Sequence, residues 1–305
     1  MSTIGTNNSY TKPVFIVGMP RSGTTLLQGI LCNSKKYFPM PETHFFSRVA
    51  YGLPEKNFSR KNREQMRRIL KRKSKINIDE KVWQDFQSQK EIFEYLIDTF
   101  NLQNGKTFLE KTPRHVFFYL QILKYYPDAK FICMIREPKN TVCSLLTMSQ
   151  KRRKSVLRIS LFYNKVAKTI IDIMPNHNVL VVRYEDLVDH ADQTLKKICQ
   201  FVNIAFDSDL IKTVAAPAGI ISAHETWKNK NIDLKTIQQN DSERWRAGLK
   251  TGEANLVTFV TKFYAAKLEY TPVYSIPEVA RGLMQDASKF FTPREIKKAF
   301  SKYHG

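Results

Sequence analysis

Apolar and polar positions along this chain follow two different periods, and the switch between them sorts the sequence into strands and helices. Four short apolar runs bounded by turn residues read as strands: VFIVGM (14–19), TFLEK (107–111), KFICMIR (130–136) and NVLVVRY (178–184). Between them apolar residues recur at helical spacing. A stretch at 24–32 follows the first run, and 90–100 puts Ile92, Phe93, Leu96, Ile97 and Phe100 on one face. Further helical patterns at 115–126 and 156–174 precede the third and fourth runs. Strands separated by helices predict an α/β fold, a parallel sheet flanked by helices on both faces, with 51–106 as a helical insertion. Beyond residue 205 the pattern weakens: 216–233 reads as a long loop, and 242–246 and 253–266 as further helical pieces. No period of 20 to 50 residues is present. A single domain over 13–270 is expected, with a polar tail at 1–12 and a basic extension at 271–305.

Composition adds limits to this picture. With 305 residues, 42% hydrophobic and 25% charged, the chain has the make-up of a soluble globular protein. Its first thirteen residues contain no basic segment followed by an apolar one, and no apolar run approaches membrane-spanning length. Cys32, Cys133, Cys143 and Cys199 lack C-x-x-C spacing and read as reduced thiols, so a cytoplasmic protein is expected. The net charge of +21 changes more. It predicts attraction to anions: a phosphorylated cofactor, an acidic substrate, a nucleic acid or an anionic membrane surface. The charge concentrates at 60–75 and 151–158, and each segment reads either as a solvated helix face or as a rim around an anion site.

Chemistry enters with VFIVGMPRSGTTLLQGIL (14–31), an apolar run, a turn and a helical sequence. That is the layout of a phosphate-binding loop, in which backbone N–H groups at a helix N-terminus face an anion. Gly18 and Gly23 have the spacing of G-x-x-x-x-G-K-[ST], but Thr24 stands where the lysine belongs and Arg21 lies inside the loop. Arg21, Thr24 and Thr25 add donors to the backbone. Losing the lysine removes the group that reaches a γ-phosphate, which argues against a P-loop kinase. At the end of the third strand Arg136 is followed eight residues later by Ser144 on the next helix. The two can converge on a second phosphate, or Arg136 can simply pair with a carboxylate. For a nucleic-acid binder only bulk charge speaks, since no helix-turn-helix, zinc-knuckle or RRM pattern is present.

Together these segments resemble the PAPS-dependent sulfotransferase superfamily, in particular its bacterial branch with similarity to tyrosylprotein sulfotransferases. PRSGTTLL (20–27) resembles the family's 5′-phosphosulfate loop, and REPKNTVCS (136–144) its 3′-phosphate motif. The resemblance implies a P-loop-type α/β fold, 3′-phosphoadenosine 5′-phosphosulfate (PAPS) as cofactor, adenosine 3′,5′-bisphosphate as product, and no metal. Arg21, Ser22, Gly23, Thr24 and Thr25 would then hold the 5′ end, and Arg136 and Ser144 the 3′-phosphate. PETHFFSRV (41–49) is similar to the E-T-R segment of tyrosylprotein sulfotransferases, and EKTPRH (110–115) to their K-[DTS]-P motif. VVRYEDLV (181–188) and SERWRAGL (242–249) look like the strand with a tyrosine near the adenine and the C-terminal tryptophan motif, which adds Tyr184 and Arg244 as cofactor contacts. The likeness spans roughly residues 13–250, and it departs at His44, which replaces the arginine of E-T-R.

Sulfuryl transfer needs a base for the acceptor hydroxyl and fixed cations around the sulfuryl oxygens. The resemblance assigns the base to Glu42, twenty-one residues after Arg21, with Lys111 and Arg21 as the electrophilic pair. Glu42 after Pro41 also reads as a carboxylate opening a helix. His44 is the alternative base; His115 and Trp245 read as structural. Phe45, Phe46, Phe117 and Phe118 are candidates for an apolar acceptor pocket or for core. The implied acceptor is a hydroxyl on a small metabolite, saccharide or glycolipid, anionic or membrane-associated, with homodimerisation left open.

Overall fold

The computed structural model describes residues 10–74, 76–100, 106–147, 155–207, 210 and 243–288. The loop at 216–233, residues 151–154 of the second basic segment and residues 289–305 of the basic extension lie outside the described residues. Five parallel strands form one sheet in the order β2-β3-β1-β4-β5: β1 (Val14–Gly18), β2 (Tyr37–Pro39), β3 (Thr107–Lys111), β4 (Lys130–Ile135) and β5 (Val179–Arg183). Three expected strands end a residue sooner than their apolar runs, at Gly18, Ile135 and Arg183, where the chain turns toward the loops. Edge strand β2 has no counterpart among the expected strands. Its three residues, Tyr37-Phe38-Pro39, are too few to show a period, and only Pro39 stands where a strand must end.

Alternate side chains of β1 point to opposite faces and each face is covered. Phe15 and Val17 join Phe131 and Cys133 beneath Phe93 and Ile97 of α4 (Gln89–Phe100) and Tyr163, Val166 and Ile170 of α7 (Val156–Ile173). Val14 and Ile16 join Ile132 and Met134 beneath Leu27 and Ile30 of α1 (Thr24–Cys32) and Leu195 and Ile198 of α9 (Ala191–Val202). This is why β1 and β4 read as continuous apolar runs rather than alternating ones. Between β2 and β3 lie α2 (Arg60–Ser74), α3 (Glu80–Asp85) and α4. Helical residues after β3 begin as a 3₁₀ turn at Pro113–Phe118 and continue as α5 (Tyr119–Tyr125). Among the described residues no helix is long and apolar enough to cross a membrane.

A third cluster joins α6 (Pro138–Thr147) to α10 (Thr251–Lys267) and α11 (Ile276–Ser288) through Val142, Leu256, Val257 and Val279. α10 and α11 cross at Gly252 and Gly282, where a Cβ on Gly282 would sit 2.1 Å from the Gly252 carbonyl oxygen. α8 (Tyr184–Asp189) follows β5 directly. The end of α11 reaches back to the start of α7: Asp286 accepts hydrogen bonds from the Val156 and Leu157 amides at 2.8 and 3.2 Å and from the Ser155 hydroxyl. Ser155 in turn accepts from the Arg158 amide, so a carboxylate from another helix completes this N-cap. Asp286 is 5% exposed. Replacing Asp286 with alanine strands those buried donors and should cost about 2–3 kcal/mol, read as a lower denaturant midpoint with an unchanged slope.

Candidate active site

In an open parallel sheet, ligands bind beyond the carboxyl ends of the strands, where neighbouring connections run in opposite directions. Here β1 leads toward β2 on one side and has β4 on the other. The residues singled out from the sequence leave from that edge: the loop 19–23 after β1, Glu42 after β2, Lys111 at the end of β3, Arg136 after β4 and Tyr184 after β5.

The loop after β1 is held down by the Met19 amide, which donates to the Met134 carbonyl at 2.9 Å. Arg21 and Gly23 both have left-handed backbone, φ 72° and 79°. Left-handed residues in such a turn form the concave N–H nests that bind anions, and a non-glycine residue held there stores strain of about 1–3 kcal/mol. Gly23 is required for a second reason, since a Cβ there would lie 2.5 Å from the Tyr184 ring. The first intrahelical bond of α1 runs from the Leu27 amide to the Gly23 carbonyl, so the amides of Thr24, Thr25 and Leu26 have no intrahelical acceptor. Inside the loop, Ser22 is fully buried and its Oγ has no hydrogen-bond partner among the described residues.

Cations converge on this loop. Arg21 Nε donates to Ser144 Oγ at 3.0 Å, and Arg136 Nη1 donates to the Arg21 carbonyl at 3.3 Å. The Arg136 guanidinium lies 4.3 Å from the centroid of the Tyr184 ring. Arg244 arrives on the 3₁₀ turn Arg244–Ala247, which docks on α6 through a 3.0 Å bond from the Trp245 amide to Asn140 Oδ1. Trp245 packs half-buried against the third cluster, with Lys139 over its ring at 4.6 Å. Burial lowers the Arg21 guanidinium from its ordinary value, and the charges of Arg136 and Arg244 lower it further, while Glu42 opposes them. Three neighbouring like charges, at a loop whose Ser22 hydroxyl is buried without a partner among the described residues, are an environment a bisphosphate would neutralise. The residues present therefore fit such a group.

On the other side of β1, Lys111 Nζ donates to Glu42 Oε1 at 2.6 Å, and His44 Nε2 lies 3.5 Å from Glu42 Oε2. Lys111 is 4% exposed and Glu42 34%. Glu42 does not open a helix. It sits in a segment without regular secondary structure, and left-handed His44 (φ 51°) precedes a π-turn at Phe45–Val49. Phe45 and Phe46 are fully buried against Phe93, so they belong to the core and not to an acceptor pocket. Phe117 and Phe118 are half-buried; Phe117 packs on Phe162, whose ring Arg114 covers at 5.0 Å. His115 is buried, as a structural residue should be, but its partner Glu110 had no counterpart among the expected site residues.

Among the described residues no group of three or more His, Cys, Asp or Glu could hold a metal. All four cysteines are free thiols.

The nucleotide-type loop at β1, its arginine and serine partners and the carboxylate–lysine pair all lie at the carboxyl edge of one α/β sheet. The sulfotransferase family profile matches residues 13–208, and the chain belongs to that family. It is 23% identical to protein-tyrosine sulfotransferase A of Caenorhabditis elegans over 80% of this chain. It is 22% identical to protein-tyrosine sulfotransferase 1 of Danio rerio over 88% of this chain. The chain spans 61% of the length of the first and 75% of the second. In fold it is similar to the sulfotransferase domain of the Synechococcus PCC 7002 olefin synthase, with a TM-score of 0.58, 20% identity and coverage of 86% of this chain and 96% of that one. The sulfotransferase domain from the curacin biosynthetic pathway gives a TM-score of 0.54 at 18% identity, covering 86% and 99%.

Burial lowers His44 below the ordinary imidazole value near 6.5 and outweighs the upward pull of Glu42. His44 is therefore neutral at neutral pH. An NMR titration should place its midpoint below 6.5, and Glu42→Gln, which removes the opposing charge, should move it further down; a midpoint above 6.5 would show that the carboxylate dominates instead.

Proposed function

We propose that this chain transfers a sulfuryl group from PAPS to the hydroxyl of an acceptor. The observation that carries the reading is the mutual proximity of Arg21, Arg136 and Arg244 at the loop whose Ser22 Oγ is buried without a partner among the described residues, with Glu42 of the Glu42–Lys111 pair close enough to act on Arg21. When bound, PAPS supplies the sulfuryl group and a phosphate as its leaving group. Arg21, Ser22, Gly23, Thr24 and Thr25 would hold its 5′ end, and Arg136, Ser144 and Arg244 its 3′-phosphate. Tyr184, packed against the loop and Arg136, would border the adenine. Adenosine 3′,5′-bisphosphate would leave from the same contacts.

Glu42 takes the proton of the acceptor hydroxyl. The Lys111 ammonium donates to Glu42 Oε1 at 2.6 Å, so the carboxylate is held in place before the acceptor arrives. Lys111 lies one hydrogen bond from that carboxylate and meets negative charge developing on the sulfuryl oxygens, together with Arg21. His44, neutral and with Nδ1 lacking a partner, is the second group able to accept a proton here. On the acceptor side Arg48 and Arg114 have no carboxylate within salt-bridge distance among the described residues, and the charge of Arg48 lowers Arg114 beyond the effect of its burial. This supports an acceptor carrying an anionic group near its hydroxyl: a small metabolite, saccharide or glycolipid, free or at a membrane surface. The free thiols support a reducing, cytoplasmic setting.

Thermal stabilisation tests the reading. Adenosine 3′,5′-bisphosphate at a hundred times its Kd should stabilise the fold by about 2.7 kcal/mol, AMP by less, and Arg136→Ala should abolish the response while still unfolding cooperatively. Stabilisation by Mg-ATP alone would point to a kinase instead. Lys111→Ala and Glu42→Gln should each lower turnover of PAPS far more than bisphosphate affinity, and an equal loss of both would remove them from the chemistry.

A further inference from the structure

Glu110 is fully buried in the sheet edge beside Lys111, and the mechanism above does not use it. Its Oε1 accepts from the Thr43 hydroxyl at 3.0 Å and the Thr112 hydroxyl at 2.6 Å, and its Oε2 faces His115 Nδ1 at 3.0 Å. Thr43, Thr112 and His115 are themselves 0% exposed. Burial raises the Glu110 carboxyl, yet the His115 ring and the two hydroxyls together outweigh it and leave the group below the ordinary carboxylate value. An ionised carboxylate can only accept, so both threonine hydrogens point at it and both hydroxyl oxygens are left free to accept in turn. They do so from the backbone: the Phe45 amide donates to Thr43 Oγ1 at 3.2 Å and the His44 amide to Thr112 Oγ1 at 3.4 Å.

The two threonines adjoin the two reacting side chains. Thr43 follows Glu42, and Thr112 follows Lys111. One carboxylate oxygen therefore binds the two segments that carry the base and the lysine. It also holds the amides at and after His44, where the backbone is left-handed and under strain. The near end of the same segment is fixed independently: the Met40 amide donates to the Leu109 carbonyl at 2.9 Å, and Gln28 Nε2 donates to the Met40 carbonyl at 2.8 Å.

We propose that Glu110 is a positioning residue that sets the Glu42–Lys111 pair through Thr43 and Thr112, with His115 orienting its carboxylate. The inference rests on the sulfotransferase reading for its effect on turnover, but its structural part stands on the free protein. Three measurements test it on Glu110→Gln and, separately, on Thr112→Val: a crystal structure without ligand, thermal stabilisation by adenosine 3′,5′-bisphosphate, and release of that bisphosphate from PAPS with water as acceptor. We expect the Glu42–Lys111 contact to be lost while stabilisation by the bisphosphate is kept, because the arginine cradle lies on the other side of β1. Turnover should fall tenfold or more in Glu110→Gln. Combined with Glu42→Gln it should lower turnover no further than the worse of the two single variants, as a residue acting through the pair requires. A variant structure with the pair still at hydrogen-bond distance overturns the proposal, as does a double variant whose loss is the product of the single ones. If Glu110→Gln does not fold, Thr112→Val decides by the same criteria. Wild-type protein that neither binds the bisphosphate nor cleaves PAPS overturns the sulfotransferase reading instead, and the crystal comparison still judges the position of the pair.

Discussion

Guanidinium groups gathered at one sheet edge repel each other, and side-chain preference alone would scatter them. Two unit charges 4 Å apart near a protein surface interact with roughly 4 kcal/mol, comparable to a large share of a domain's stability. Three separate restraints hold this cluster together. Arg21 is fixed by a left-handed loop pinned to β4, Arg136 by the end of a strand buried from Phe131 to Ile135, and Arg244 by a turn docked on α6. Each restraint belongs to packing or backbone hydrogen bonding that is complete without the arginine head groups. The hydrophobic cores on both faces of β1 thus sustain a charged site that would be unfavourable in isolation.

β1 also divides the site by kind of charge. On the side of β4 and β5 the polar side chains meeting the loop are cations, a hydroxyl and an aromatic ring. On the side of β2 and β3 the carboxylates of Glu42 and Glu110 are interleaved with Lys111, His44 and His115, and each carboxylate has a protein partner. The first half gathers positive charge around the loop. In the second, Glu42 and Lys111 pair with each other and Glu110 with His115, while Arg48 and Arg114 beside them have no carboxylate within salt-bridge distance among the described residues.

The sequence made one half of this legible and hid much of the other. β1 and β4 were readable because burial on both faces removes alternation, and the loop was readable because its glycine spacing is a covalent requirement of the turn. Arg136 and Ser144 followed from an offset along a helix. By contrast, Tyr37-Phe38-Pro39 is too short to carry a period, and the left-handed backbone of His44 has no glycine to announce it. Paired phenylalanines at 45 and 46 look the same in sequence whether they line a pocket or fill a core, and only the position of Phe93 decides. Glu110 was hidden for a different reason. A glutamate inside TFLEK carries no local mark of its partners, one of which is Thr43, sixty-seven residues away.

The carboxylate that caps α7 lies 131 residues downstream of the Ser155 hydroxyl it receives. A ribosome therefore delivers the whole sheet, both of its faces and the loop arginines before the group that finishes one of the longest covering helices. Nascent chains that have all five strands hold the α7 start by Ser155 alone, and the glycine crossing that brings Asp286 to it cannot form until α10 and α11 both exist. The Asp286 contacts at the start of α7 therefore become available only after the sheet that α7 covers has been synthesised.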